Sequence, residues 1–185
     1  MKTAVKVLVT VTAICLAFAF AFVTVYSMTW ENAKISNLNI SYNKITKECI
    51  ASDFEWDGNT ENMTFTVPDE YEGMKIKSLG GAVGLGAPTH FCVMVPQELH
   101  KEVVSGTATE DCIGIVDENT VTYSFTVNLG ENIKNFENFS YQEYFMDKND
   151  KVIYIVEIKY ECSESNKWAY SEDGKLYDKN TNKLL

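Results

Sequence analysis

Lys6 is the last charged residue before Glu31, and the 24 residues between them carry no charge. Within that interval Val7 to Tyr26 is an apolar run broken only by Thr10, Thr12 and Thr24. At about 1.5 Å per helical residue, twenty residues span roughly 30 Å, the thickness of a bilayer's hydrocarbon core. Such a run reads as a membrane-crossing or export segment, and it sets the compartment of everything that follows. Lys2, Lys6 and the α-amino group stand before it, so the positive-inside rule keeps the N-terminus in the cytoplasm and sends residues 28–185 outward. Two forms of the segment compete. A cleaved signal peptide needs a small-x-small site, and Ala19-Phe20-Ala21 and Val25-Tyr26-Ser27 both qualify. The run is longer than an ordinary signal core, however, and Phe22-Val23-Thr24-Val25 makes a poor polar exit region. The expectation is an uncleaved signal-anchor over 1–27, giving a single-pass protein of the cell membrane with its C-terminal domain outside. The alternative is secretion after cleavage.

All 16 basic residues are Lys, against 26 acids, for a net charge of −10. Without Lys2 and Lys6 the exported part has 14 Lys against the same 26 acids, hence −12. Phosphate backbones are recognised by basic patches and Arg forks, so nucleic acid is excluded as a partner, and anionic lipid surfaces are disfavoured. His90 and His100 are the only histidines. That leaves little for His-based catalysis or a multi-His metal site, and no catalytic, cofactor or metal residue is assigned. Abundant Lys, Asn and Ile without Arg suits the coding bias of an AT-rich bacterium. In such a host the sequons at Asn39, Asn62 and Asn138 are silent.

Cys15 lies in the apolar run. Cys49, Cys92, Cys112 and Cys162 lie beyond it, an even number that permits two disulfides in three pairings. Buried free thiols are the other reading of the same four. No CxxC occurs, which removes zinc-ribbon and thioredoxin-type sites.

Beyond residue 28 the dominant period is two. Leu38, Ile40 and Tyr42 alternate with Asn39, Ser41 and Asn43. Met63, Phe65 and Val67 alternate with Thr64 and Thr66. Val121, Tyr123, Phe125 and Val127 do the same with Ser and Thr. Each predicts a strand with one apolar face. Lys151 to Cys162 is the longest, with every even position apolar and Ile153 and Ile155 added on the other side, as in a strand covered on both faces near its start. Asp147–Asp150 and Glu172-Asp173-Gly174 predict hairpin turns before and after it. Helical spacing is confined to Gln97–Val104 and Glu131–Phe139, one or two turns each. The expected fold is mainly β: an N-terminal transmembrane or signal helix, then one β-rich domain. That domain is either an antiparallel sandwich or a short degenerate repeat array.

Several short patterns bear on chemistry. Gly80 to Gly86 is glycine-rich but lacks the Lys-Ser/Thr of a phosphate loop. Asp178/Asn180/Asn182 and Asp57/Asn59/Glu61 space oxygen donors as a calcium loop does, without its Gly, and read as polar turns. His90 and Cys92 share a strand face, so a nucleophile–base contact is conceivable only with a third, orienting group that the sequence does not single out. Tyr141, Tyr144, Tyr154, Tyr160, Trp168 and Tyr170 crowd the C-terminal third; they read as core and cross-strand aromatics, with sugar stacking the alternative.

Three segments echo one another: FTVP at Phe65–Pro68, VMVP at Val93–Pro96 and FTVN at Phe125–Asn128. Each is followed by a turn and a second apolar pair, namely Ile76/Leu79, Val103/Val104 and Ile133/Phe136. A unit of this kind cannot bury its apolar face alone and must stack on a neighbour. The stretch VPDEYEGMKIKSLGGA, Val67 to Ala82, resembles the repeat unit of the BspA-like (leucine-rich repeat type 5) surface proteins of bacteria. About 35 residues match well. The resemblance implies cell-surface display and binding or adhesion. The functional expectation is therefore a bacterial cell-surface or secreted protein that binds an unknown protein or carbohydrate ligand without catalysing a reaction. A small exported hydrolase and a purely structural envelope module are the alternatives.

Overall fold

The computed structural model describes residues 2–82, 88–107 and 114–185. Helix α1 (Lys2–Met28) contains a stretch, Leu8–Tyr26, that is long and apolar enough to cross a membrane, with mean hydropathy 2.5 and none of it buried against the rest of the chain. Among the described residues the remainder is a β body with two short 3-10 turns, so that strand predominates over helix, as the alternating runs predict.

Among the described residues seventeen strands follow α1. They are β1 (Trp30–Ile35), β2 (Leu38–Asn43), β3 (Glu48–Glu55), β4 (Thr64–Val67), β5 (Glu70–Tyr71), β6 (Met74–Lys75), β7 (Ser78–Leu79), β8 (Gly81–Ala82) and β9 (Pro88–Thr89). Then come β10 (Cys92–Met94), β11 (Ser105–Thr107), β12 (Val121–Leu129), β13 (Asn135–Phe136), β14 (Gln142–Met146), β15 (Val152–Cys162), β16 (Ala169–Glu172) and β17 (Lys175–Asp178). The first large sheet has the order β1-β2-β3-β7-β13, with β10 beside the far half of β3. The second has the order β11-β14-β15-β12-β4.

Both sheets are mixed rather than antiparallel throughout. β1, β2 and β3 form an antiparallel meander, whereas β7, β10 and β13 join in parallel. β14 and β15 form the expected hairpin, and β12 and β4 add to β15 in parallel. The chain passes from one sheet to the other and back (β3 to β4 to β7, β12 to β13 to β14). β3 and β7, joined through β4, therefore run the same way, which a simple hairpin would not give.

The two sheets enclose one apolar core. Phe54 stacks on Phe65 with ring centres 4.7 Å apart, and Trp56 meets Phe125 edge-on at 5.4 Å. β15 lies between β14 and β12 and alternates as expected. Val152, Tyr154, Val156, Ile158 and Tyr160 are buried, with Ile153 and Ile155 half-covered on the other side.

The echoing segments are placed unequally. Phe65–Pro68 and Phe125–Asn128 lie side by side in parallel, Phe65 opposite Val127 and Val67 opposite Leu129. Their second halves are also paired, Ser78 with Asn135 and Leu79 with Phe136. Val93–Pro96 lies in the other sheet beside β3. Glu131–Phe139 is not helical: the N–H groups of Lys134 and Asn135 bond Lys77 O, and that of Glu137 bonds Leu79 O, so the preceding rung supplies the acceptors that a helix would supply internally. In Gln97–Val104, Gln97–Leu99 makes a 3-10 turn and Val103 N–H bonds His100 O in a second turn, without an α-helix.

Candidate functional site

Polar side chains gather in three places, the first around His90. His90 Nε2 lies 3.0 Å from Glu143 Oε1 and 3.3 Å from Ser140 Oγ, and the Ser140 hydroxyl donates to the same Glu143 oxygen at 2.7 Å. A serine nucleophile needs one imidazole nitrogen on the hydroxyl and the other on the carboxylate. Here a single nitrogen faces both groups, and the serine proton points at the carboxylate instead of at a base. Cys92 sits opposite Asp53 in the sheet, and no hydrogen bond joins it to His90 among the described residues. Its thiol is pushed up by burial first and by the Glu143 and Asp53 carboxylates second, the reverse of what activates a cysteine. In sequence His90 lies two residues from Cys92; in the structure it meets Ser140 and Glu143, 50 and 53 residues away, which no local spacing signals.

Cys49, Cys92 and Cys162 are free thiols, and Cys112 lies outside the described residues. Burial pushes the Cys49 and Cys162 thiols up to about 11. The donor-rich turns spend their carboxylates locally. Asp178 Oδ1 accepts from the N–H groups of Asn180 and Thr181 and from the Thr181 hydroxyl. Asp57 Oδ1 accepts from Asn59 N–H, and Asn59 Oδ1 from Glu61 N–H. Of the glycine run, Gly80 and Gly81 turn the chain at φ 68° and 123°, and residues 83–87 lie outside the described residues. Among the described residues no three His, Cys, Asp or Glu side chains lie close enough together to hold a metal ion. Tyr154 and Tyr160 are core residues, whereas Trp168 is exposed and Tyr170 stacks on Tyr177 at 5.3 Å across the terminal hairpin.

The second place is a groove of about 540 Å³ on the outer face of β1, β2 and β3, lined by Asn32, Lys34, Asn39, Ser41, Ser52 and Asp53. The alternation that buries Leu38, Ile40 and Tyr42 turns Asn39 and Ser41 to this side. A register shift between Asn39 and Ile40 pairs Asn39 with Asp53 but Ile40 with Ala51, which leaves Ser52 as the extra residue of a β-bulge. Bulges of this kind re-aim side chains. Asn39 Nδ2 bridges Asp53 Oδ1 at 2.7 Å and Glu55 Oε1 at 3.0 Å, and Lys34 pairs with Glu55. Ser41 Oγ donates to Asn32 Oδ1 at 2.8 Å and lies 3.3 Å from Ser52 Oγ. The Asp53 carboxyl is pushed up by burial, an effect the Asn39 hydrogen bond opposes. Ser41 and Ser52 are buried beneath the groove, which presents the amide, ammonium and carboxylate groups of Asn39, Lys34 and Asp53.

The third place is the junction of α1 with the first sheet. The Tyr26 hydroxyl donates to Glu48 Oε2 at 2.8 Å, and Asn43 Nδ2 donates to Thr29 Oγ1 at 2.7 Å. Tyr26 and Trp30 meet edge to face at 6.1 Å. A cavity of about 380 Å³ opens here, lined by both aromatics and by Glu48, Lys77, Lys134 and Glu137 among others. Tyr26 ends the apolar run and Trp30 lies four residues beyond it, and aromatics at the end of such a run are the sequence signal for this place. Compared with known protein families, with curated proteins and with solved structures, the chain matches none.

Proposed function

We propose that this chain is a single-pass surface protein of a bacterium, anchored by α1, whose exported β body binds a polar protein or carbohydrate partner without catalysing a reaction. The observation that carries the reading is the direct join between helix and sheet. Tyr26, the last residue of the apolar stretch, is hydrogen-bonded to the first residue of β3, and Thr29 is bonded to the last residue of β2. Cleavage after Ser27 would remove Tyr26 and its bond to the body. The groove on β1–β3 supports the binding role, because its polar side chains hold one another in place and meet a ligand already ordered. The wiring of His90, Ser140 and Glu143 supports a non-catalytic body. The likeness of Val67–Ala82 to the repeat unit of bacterial surface proteins points the same way.

An alkaline-carbonate wash of membranes should leave the full-length chain in the pellet, and externally added protease should reach the β body in intact cells. A soluble form beginning near Phe22 or Met28 would overturn the anchored reading. For the groove, an array of soluble oligosaccharides and surface-protein extracts probed with the full chain in micelles should show binding that Asn39→Ala and Asp53→Ala weaken.

A further inference from the structure

We propose that the cavity between α1 and the first sheet receives the headgroup of a zwitterionic phospholipid, one that carries both a phosphate and an ammonium group. The inference rests on the anchored reading, because it needs a membrane at the level of Tyr26. Position is the first argument. Tyr26 ends the apolar stretch and also lines the cavity, so the opening lies within a side chain's length of the bilayer surface. Tyr and Trp belong at that depth.

Charge is the second argument. Lys77 and Lys134 stand one residue ahead of the paired Ser78 and Asn135, with Lys134 N–H bonded to Lys77 O, so two ammonium-bearing residues occupy neighbouring rungs. Among the described residues neither takes part in an ion pair. Like charges side by side repel unless an anion lies between them. Glu48 and Glu137 line the same cavity, which brings its formal charge to zero. A bare anion would add a second negative charge beside Glu48 and Glu137; a headgroup with both signs matches the cavity's mixed charge. Tyr26 and Trp30 supply the aromatic surface that an ammonium also favours.

The third argument is size. The volume, about 380 Å³, is within the range of small-ligand pockets.

The test uses the full-length chain in detergent micelles, titrated with dihexanoyl-phosphatidylethanolamine and followed by NMR. Dihexanoyl-phosphatidylglycerol and inorganic phosphate are the comparison arms. The expected result is saturable shifts at the Trp30 indole N–H and the amides of Lys77, Ser78, Lys134 and Asn135, with affinity at least about tenfold weaker for either comparison probe. The double variant K77Q/K134Q should lose that binding yet stay in the membrane pellet after alkaline carbonate. E137Q, which leaves both lysines in place, should narrow the preference for phosphatidylethanolamine over phosphatidylglycerol. Absence of saturable shifts at these positions, equal affinity for either comparison probe, or full binding by K77Q/K134Q would overturn the headgroup site. Failure of the anchored reading shows separately, as release of the unaltered chain by carbonate, because micelle titration does not depend on where the chain resides in the cell.

Discussion

Glu48, the first residue of β3, accepts the hydroxyl proton of Tyr26 at 2.8 Å, across 22 residues of sequence and across the boundary between helix and β body. The same Glu48 oxygen also takes the Thr46 hydroxyl at 2.7 Å. One carboxylate therefore fixes both the β2–β3 turn and the end of the apolar helix. Tyr26→Phe should keep the aromatic contact with Trp30 and lose this bond, a change of about 0.5–1.5 kcal/mol. Hydrogen exchange of the amides at 27–30 should quicken while that of β15 stays unchanged. Equal protection in both proteins would show that the bond does not hold the junction.

Val156 is fully buried at the centre of β15, and Lys159, three residues on, is exposed on its other face. Val156→Asp places an unpaired carboxylate in the core and should cost about 3–5 kcal/mol. Lys159→Asp should cost under about 0.5 kcal/mol. Urea unfolding of both variants should separate their midpoints clearly, and equal shifts would contradict the face assignment.

Asn166 is 1% exposed and satisfies its whole amide. Its Nδ2 donates to Gly130 O and Ile133 O, and its Oδ1 accepts from Trp168 N–H and Ala169 N–H. It fastens the β12–β13 loop to the terminal hairpin. Asn166→Asp keeps the shape but offers no donor to two carbonyls and buries a charge, so it should destabilise by about 2–4 kcal/mol. Loss of hairpin amide protection before global unfolding is the signature to measure.

His100 packs its ring 3.8 Å from that of Tyr154, its Nε2 lies 3.0 Å from the Tyr123 hydroxyl, and burial lowers its pKa below the ordinary His value. The folded state thus resists the proton that the unfolded chain accepts. Its contribution is complete above the ordinary value, about 6.5, and is lost as pH falls through that value toward the lower folded one. The urea midpoint should drop between about pH 7 and about pH 5, and His100→Gln should flatten that slope. Asp53, whose pKa is raised, acts in the opposite sense at lower pH. A slope that survives in the variant would assign the effect elsewhere.

Glu143 and Asp53 both add to burial in holding the Cys92 thiol protonated. Glu143→Gln should therefore quicken native-state alkylation of Cys92, mapped by peptide mass, while leaving Cys162 unchanged. An unaltered Cys92 rate would remove Glu143 as a cause.

Certain features need only local order along the chain, and these are legible in the sequence. The two-residue period from Val152 to Tyr160 determines which face of β15 is buried, because successive strand side chains must point to opposite sides. The uncharged run from Val7 to Tyr26 determines an apolar helix, and the turn residues at Asp147–Asp150 and Glu172–Gly174 determine two hairpins. Pairing between distant rungs has no such signature. Ser78 and Asn135, 57 residues apart, meet on strands of two residues each, too short to carry any period. Ile133 and Phe136 fit a helical turn as well as a rung, and only the free carbonyls of Lys77 and Leu79 decided between them. The bulge that turns both Ser52 and Asp53 outward, and the meeting of Tyr26, Trp30, Lys77 and Lys134 around one cavity, follow from how the sheets register against each other. Register is a property of two strands at once, so no single stretch of sequence contains it.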